Sequence, residues 1–406
     1  MEKYVLLNLW AIRVLGIWHP EKNPSRFRHN IYGLQRSLTV GSVLFIFIPA
    51  AIAVQDNFSQ NSSLSTRVEI LSLLISSSVV LCKTMDIVLR RNQVQNLLSK
   101  MSEYWRGATS EEISSMAGYA RFGKSVTNFY FTLGGLSSVF FAGQPFLSSY
   151  FAAGRENSST VAVSRLPFNG WENLVDHRST STFAVVFVCH VIAGTVASLA
   201  SISYDCLFAV LVLHVCGNLR AVVAHLRNMK FDNEDESDGR IIRCAVTFQK
   251  LIEYTKELEN CLSMFLLIQT TSSTLTICLT GFLVSRDIDG NNELGKYVSY
   301  WAASLFQLFI FCWSANYLQT ESIMVGQSAY EAYGKLMNLS LENNRRRYHR
   351  LANVPRHLQM IILRSQKPLK ITAGKFYVMS LETYKNILSN SYSYFTILRA
   401  FADIQT

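Results

Sequence analysis

Charge is scarce in this chain. Only 16% of its 406 residues are Asp, Glu, Lys or Arg, against 49% hydrophobic residues, a balance too apolar for a typical soluble protein. Signatures of catalysis are missing too: there is no Walker loop, dinucleotide fingerprint, HExxH, paired CxxC or nucleophile elbow, which leaves an enzyme reading little support and implies no cofactor and no metal. No nucleic-acid motif accompanies the net charge of +10, and no internal repeat of the kind many transporters carry is visible. None of the eight cysteines falls in a segment expected outside the cell, so nothing points to a disulfide framework, and they read as small buried residues. The first long apolar block begins only near Leu38, so a cleavable signal peptide is not expected.

The chain does have long apolar blocks. They run from Leu38 to Val54, Val68 to Leu89, Val126 to Tyr150, Phe183 to Leu213, Cys261 to Ser285, Tyr297 to Leu318 and Phe376 to Leu398. Most reach the ~20 residues that cross ~30 Å of hydrocarbon, which predicts an all-α integral membrane protein with seven transmembrane helices. Alternate connecting segments, 1–37, 90–125, 214–260 and 319–375, hold 29 Lys and Arg residues, whereas 55–67, 151–182 and 286–296 hold six. Since basic residues stay on the cytosolic side, the N-terminus is expected in the cytoplasm and the C-terminus outside. The acceptor triplets at Asn57, Asn61 and Asn157 then fall in external loops, where N-glycosylation can occur, while the one at Asn338 falls inside.

Four regions follow: a cytoplasmic N-terminus (1–37), six transmembrane helices (38–318), a cytoplasmic region (319–375) and a last helix with a short external tail (376–406). The N-terminal segment through Trp10 and Trp18 reads as amphipathic, lying on the inner leaflet and ending at His19-Pro20. In the second span, Lys83 and Asp86 stand three residues apart and read as a local ion pair. Pro145 is expected to kink the third span, and the external loop from Phe151 to Thr182 is a candidate lid. Spans four to six continue as helical patterns into the cytosol. His190 reads as a satisfied buried histidine, Asp205 as an interfacial carboxylate, and Arg345-Arg346-Arg347 as a cytosolic basic cluster.

The last span is unusual. Glu382, Asn386, Ser389, Ser393, Thr396 and Ala400 recur at steps of three and four, forming a stripe of small and polar groups. The opposite face carries Leu381, Tyr384, Leu388, Tyr392, Phe395 and Leu398. Such a stripe either packs against a neighbouring helix or meets water in a pore, and spacing alone leaves both open.

The segments Arg364-Ser-Gln-Lys-Pro-Leu369, Thr372-Ala-Gly-Lys-Phe376, Ser380-Leu-Glu-Thr-Tyr384 and Ser391-Tyr-Ser-Tyr-Phe-Thr-Ile-Leu-Arg399 resemble the insect odorant receptor family. Weaker similarity includes Leu15-Gly-Ile-Trp18, Leu166-Pro-Phe168, Trp171 and Cys312, while Gly334 lies where the family usually has tryptophan. The resemblance implies a tetrameric, ligand-gated, non-selective cation channel in the plasma membrane of an olfactory neuron's dendrite. A divergent odorant-binding subunit would assemble there with a shared co-receptor. It implies that the last helix lines the pore, with Ser393 and Ala400 facing it and Ile397 and Phe401 at the gate, and that the cytosolic extensions anchor subunits together. It also implies an outer-half pocket for a small volatile odorant, for which Ser77, Phe140, Gln144, Phe187, Tyr297, Tyr300 and Trp301 are the candidates. A seven-helix G-protein-coupled receptor is the alternative, disfavoured by a cytoplasmic N-terminus, and a self-sufficient homomeric channel is another.

Overall fold

The computed structural model describes residues 2–16, 25–59, 63–156, 166–168, 171, 180–231, 234–287, 294–341 and 354–405. Among them are ten helices: α1 (Glu2–Val14), α2 (Arg26–Ser59), α3 (Leu64–Leu89), α4 (Arg91–Gly107), α5 (Ser110–Glu156), α6 (Thr180–Arg227), α7 (Glu234–Asp287), α8 (Leu294–Leu341), α9 (Val354–Ser365) and α10 (Leu381–Gln405). Two short antiparallel strands, β1 (Thr372–Ala373) and β2 (Tyr377–Val378), lie between the last two. Local chemistry sets several starts. Ser63 caps α3 by accepting from the Thr66 amide at 3.2 Å, and Thr109 with Glu112 forms a reciprocal capping box on α5, the Thr109 amide donating to Oε2 at 2.6 Å.

Helices α6, α7 and α8 contain 48, 54 and 48 residues. At ~1.5 Å per residue each exceeds twice the thickness of a hydrocarbon layer, so all three extend beyond a membrane, as their patterns predicted. The main core runs along α6, α7 and α8 through part of their apolar blocks and on beyond them. Almost every α6 side chain from Ile202 to Leu226 is buried, and it meets Leu251 and Leu258 of α7, Leu318 and Ala329 of α8, and Leu358 of α9. The other half of α6 is looser: from Ser181 to His190 only His190 is buried.

Among the described residues, α2, α3, α6, α7 and α8 are long and apolar enough to cross a membrane. α5 and α10, also expected to cross, fall short by composition. The apolar stretch of the former is interrupted by Asn, Gln, Ser and Gly residues, and the latter's polar stripe lowers its hydropathy.

Two local expectations are corrected. The last helix begins at Leu381 rather than Phe376, because Gly374 (φ 58) and Lys375 (φ 64) turn the chain into the β1–β2 hairpin. The Gly374 amide donates to the Ser263 carbonyl of α7 at 2.8 Å, and Ser380 caps the helix through the Thr383 amide. α1 is not simply a surface helix: Val5, Leu9 and Ile12 are buried and α1 packs on α5 and α6, while Leu6 and Trp10 remain exposed. The expected stop at His19-Pro20 lies outside the described residues.

Candidate functional site

Where the helices loosen, they enclose a cavity of about 240 Å³ between α3, α5, α6, α7 and α8. That exceeds the ~150 Å³ of an engineered cavity that holds benzene, so it is a space for a small organic molecule. One side is covered by Pro167 and Phe168, from the loop expected as a lid. Phe168 stacks on Phe141 and His190, with ring centroids 5.7 and 6.0 Å apart. Trp171 lies 4.5 Å from Phe45 and donates from its indole to the Phe45 carbonyl at 3.2 Å. Gly194 makes this closure possible, because a Cβ there would come within 2.8 Å of the Phe168 ring. The remainder of that loop lies outside the described residues.

The floor of the cavity is ionic. Lys83 of α3 bonds both carboxylate oxygens of Asp205 on α6, at 2.7 and 2.9 Å, with both side chains fully buried. Asp205 also accepts from the Tyr130 hydroxyl (3.2 Å, α5) and the Gln307 amide nitrogen (2.6 Å, α8), and the Gln307 oxygen accepts from Gln269 of α7 at 2.9 Å. Five helices meet in this network. It compensates two charges that would be costly to bury unpaired. The expected local Lys83–Asp86 pair is therefore replaced: Asp86 instead receives Arg90 at 2.8 Å, one turn along α3, and the Tyr204 hydroxyl at 2.6 Å. Asp205 is buried, not interfacial. Elsewhere on the cavity wall, Lys296 pairs with Glu69 at 2.7 Å and lies 4.6 Å from the Tyr297 ring centroid.

Of the pocket residues expected from sequence, Ser77, Tyr297 and Tyr300 line the cavity. Tyr300 hydrogen-bonds the Ser76 hydroxyl across to α3. Phe140, Gln144, Phe187 and Trp301 are not in its lining. On α5 the lining positions are Tyr130, Gly134, Ser137, Ser138, Phe141 and Ala142, so Phe140 stands one 100° step from Phe141, and Trp301 is likewise a step past Tyr300 on α8. Gln144 is buried further along α5, and Phe187 packs on Phe183. Sequence reasoning missed Gln269, Gln307 and His190 as cavity residues. Their signal was polarity within apolar helices.

α10 packs on α7 and α8 through one seam. Its buried or half-buried residues are Thr383, Tyr384, Ile387, Leu388, Ser391, Phe395, Leu398 and Ala402, with the Ser391 hydroxyl 3.1 Å from the Thr274 carbonyl of α7. Tyr392, expected on the packed face, is 67% exposed because the seam is centred one residue earlier. Ser393, Ile397, Ala400 and Phe401 are all exposed, as are Glu382, Asn386, Ser389 and Thr396. Thus α7 touches both features: Gln269, Ser273 and Thr276 line the cavity, while Thr270 bonds Tyr377 and Thr274 bonds α10. Among the acceptor asparagines, Asn57 lies in α2 with its amide donating to the Ala53 carbonyl at 2.9 Å, and Asn61 and Asn157 lie outside the described residues.

The family model described as 7tm Odorant receptor matches residues 63–392. Odorant receptor 10 of Aedes albopictus is 25% identical over 59% of this chain and 61% of its own length. Odorant receptor 13a of Drosophila melanogaster is 30% identical over 40% of this chain and 38% of its own length. The chain thus spans less than two thirds of these relatives, although Odorant receptor 9a of Drosophila melanogaster aligns at 21% identity over 90% of this chain and 88% of its own. In fold, the chain is similar to the insect olfactory receptor OR5 of Machilis hrabei in complex with eugenol, with a TM-score of 0.77 at 14% identity covering 98% of this chain and 100% of that one. The five apolar membrane-length helices, the cavity and the family match over most of the length lead to one conclusion: the chain is a multi-pass membrane protein of the insect odorant receptor family.

Proposed function

We propose that this chain is the odorant-binding subunit of a heteromeric, ligand-gated, non-selective cation channel, opened by a small volatile ligand and assembled as a tetramer with a shared co-receptor. It crosses the plasma membrane seven times, α5 and α10 included, with its N-terminus in the cytoplasm and its C-terminus outside, in the dendrite of an olfactory sensory neuron. Ser77, Tyr297 and Tyr300 contact the ligand. Ser393, Ile397, Ala400 and Phe401 face the pore, where apolar side chains close it by dewetting.

The observation that carries this reading is the two-sided exposure of α10. One seam is anchored on α7 and α8, while its small and polar stripe is left uncovered by the protomer, as a helix bordering a shared axial pore requires. A packing seam within the protomer would have buried that stripe. α7 supplies the coupling, because it lines the cavity on one side and holds α10 and the hairpin on the other. A ligand opens the channel only if it binds the open arrangement more tightly than the closed one. In the cytosolic extension, the exposed Met360 and Leu363 of α9 and Phe376 at the hairpin tip offer apolar surface for contacts between subunits.

The test is membrane current in cells expressing this chain alone, or with a co-receptor, while volatiles are applied and G-protein signalling is blocked. Current evoked only on co-expression supports the heteromeric channel. Current from the chain alone would instead establish a homomeric one. Responses abolished by the G-protein block would overturn both.

A further inference from the structure

We infer that the cavity selects ligands that donate a hydrogen bond, small alcohols or phenols, and that the Gln269 side-chain oxygen receives the ligand's hydroxyl. This rests on reading the cavity as the ligand site. Asp205, at the floor, is a carboxylate that can only accept. Its demand fixes the Gln307 amide with nitrogen towards it, at 2.6 Å, and oxygen towards Gln269. The Gln307 oxygen in turn requires the Gln269 nitrogen, at 2.9 Å, and that nitrogen's second contact is Ser273 at 2.9 Å. The Gln269 oxygen is what remains. It is buried, and among the described residues it has no hydrogen-bond partner.

His190 repeats the pattern nearer the outer end. Its Nδ1 lies 2.8 Å from the Val186 carbonyl, which only accepts, so Nδ1 carries the proton. In this neutral ring Nε2 is a second acceptor, also buried and unpartnered among the described residues. Several of the hydroxyls on the wall add to the imbalance. Ser72, Ser77, Ser138, Thr195 and Ser304 each lie within hydrogen-bond reach of a carbonyl three or four residues earlier in their own helix. Such a hydroxyl spends its proton there and turns lone pairs to the cavity. The cationic donors Lys83 and Lys296 are engaged by Asp205 and Glu69. A ligand entering this space displaces water, and one that cannot donate leaves buried acceptors unsatisfied. Sites built to bond a hydroxyl reject analogues lacking one by large factors.

The experiment compares half-maximal concentrations for primary alcohols and their methyl ethers, in cells carrying this chain and a co-receptor at the surface. With the unaltered chain, each alcohol should act at a concentration at least tenfold below its ether. In Gln269→Leu the alcohol's value should rise about tenfold with the ether's little changed. If that variant fails to reach the surface, the unaltered chain's alcohol-to-ether ratios decide the ligand class. Ethers, esters or hydrocarbons acting as well as alcohols would overturn the inference while leaving the channel reading intact. An alcohol preference that survives Gln269→Leu undiminished would overturn the role of Gln269. Absence of current with every volatile would remove the channel reading and this inference together.

Discussion

Replacing Lys83 by Met tests the network on which the cavity rests. The Lys83 ammonium and Asp205 carboxylate are fully buried and 2.7 Å apart. Removing only the cation leaves Asp205 with the Tyr130 and Gln307 donors but with its charge uncompensated. Breaking a buried pair in this way costs about 3–5 kcal/mol, a large part of the ~5–15 kcal/mol that holds a typical protein folded. The single variant should therefore reach the cell surface poorly and, once solubilised, unfold at a clearly lower temperature. Neutralising the partner as well, in Lys83→Met with Asp205→Asn, keeps an oxygen for Tyr130 and removes the orphan charge. The double variant should recover at least half of the lost surface fraction. A single variant as stable as the unaltered chain, or a double variant no better than the single, would refute the reasoning.

Three further outcomes are expected. Ile397→Ser and Phe401→Ala, on the exposed face of α10, should raise ligand-independent current several-fold by wetting the closed pore; an unchanged resting conductance in both would count against their gating role. Gly374→Ala should cost ~1–3 kcal/mol, because φ is 58 and an added Cβ would press on Leu267 of α7; the unfolding temperature of the solubilised complex measures this cost. At the start of α5, burial pushes the Glu112 carboxyl up, but its bonds from Thr109 and the charges of Arg243 and His225 outweigh this and hold it below its ordinary value. A lowered carboxyl contributes stability at neutral pH and loses it as pH falls through the folded-state value. Glu112→Gln, which can still cap the helix, should thus be less stable than the parent at neutral pH, with the difference closing on acidification; a gap independent of pH would contradict this.

The helices themselves were legible because apolar blocks with basic flanks are a strong, additive signal. The runs of α6, α7 and α8 past membrane length were legible for the same reason, as their periodicity continues beyond the apolar blocks. The start of α10 was not. Phe376, Tyr377 and Val378 read as more of the same apolar helix, and only the Ala-Gly-Lys turn before them marked the hairpin. The ionic floor was hidden more deeply. Lys83 and Asp86 stand at helical spacing, yet the partner of Lys83 is 122 residues away, and sequence proximity carries no information about which helix faces lie together. In the cavity, Tyr297 and Tyr300, named from the family resemblance, are in the lining. Phe140 and Trp301 were misplaced by a single 100° step, an error that helix rotation converts from lining to not lining. Gln269 and Gln307 show what a polar side chain in an apolar helix was signalling.

The central claim is that the uncovered face of α10 borders the conduction path. Cysteine placed singly at Ser393 and at Ile387, in channels co-assembled with a co-receptor, tests it through a small positively charged thiol reagent applied from outside during ligand-evoked current. Channels with the unsubstituted chain, which has eight cysteines of its own, show how much current the reagent removes without either substitution. Rapid loss of current in Ser393→Cys, faster with ligand present, is the expected result, with Ile387→Cys losing no more than the unsubstituted channel does. Loss of current in Ile387→Cys with Ser393→Cys unaffected would contradict it, because the stripe would then be a packing seam and the buried face the one that meets the ions.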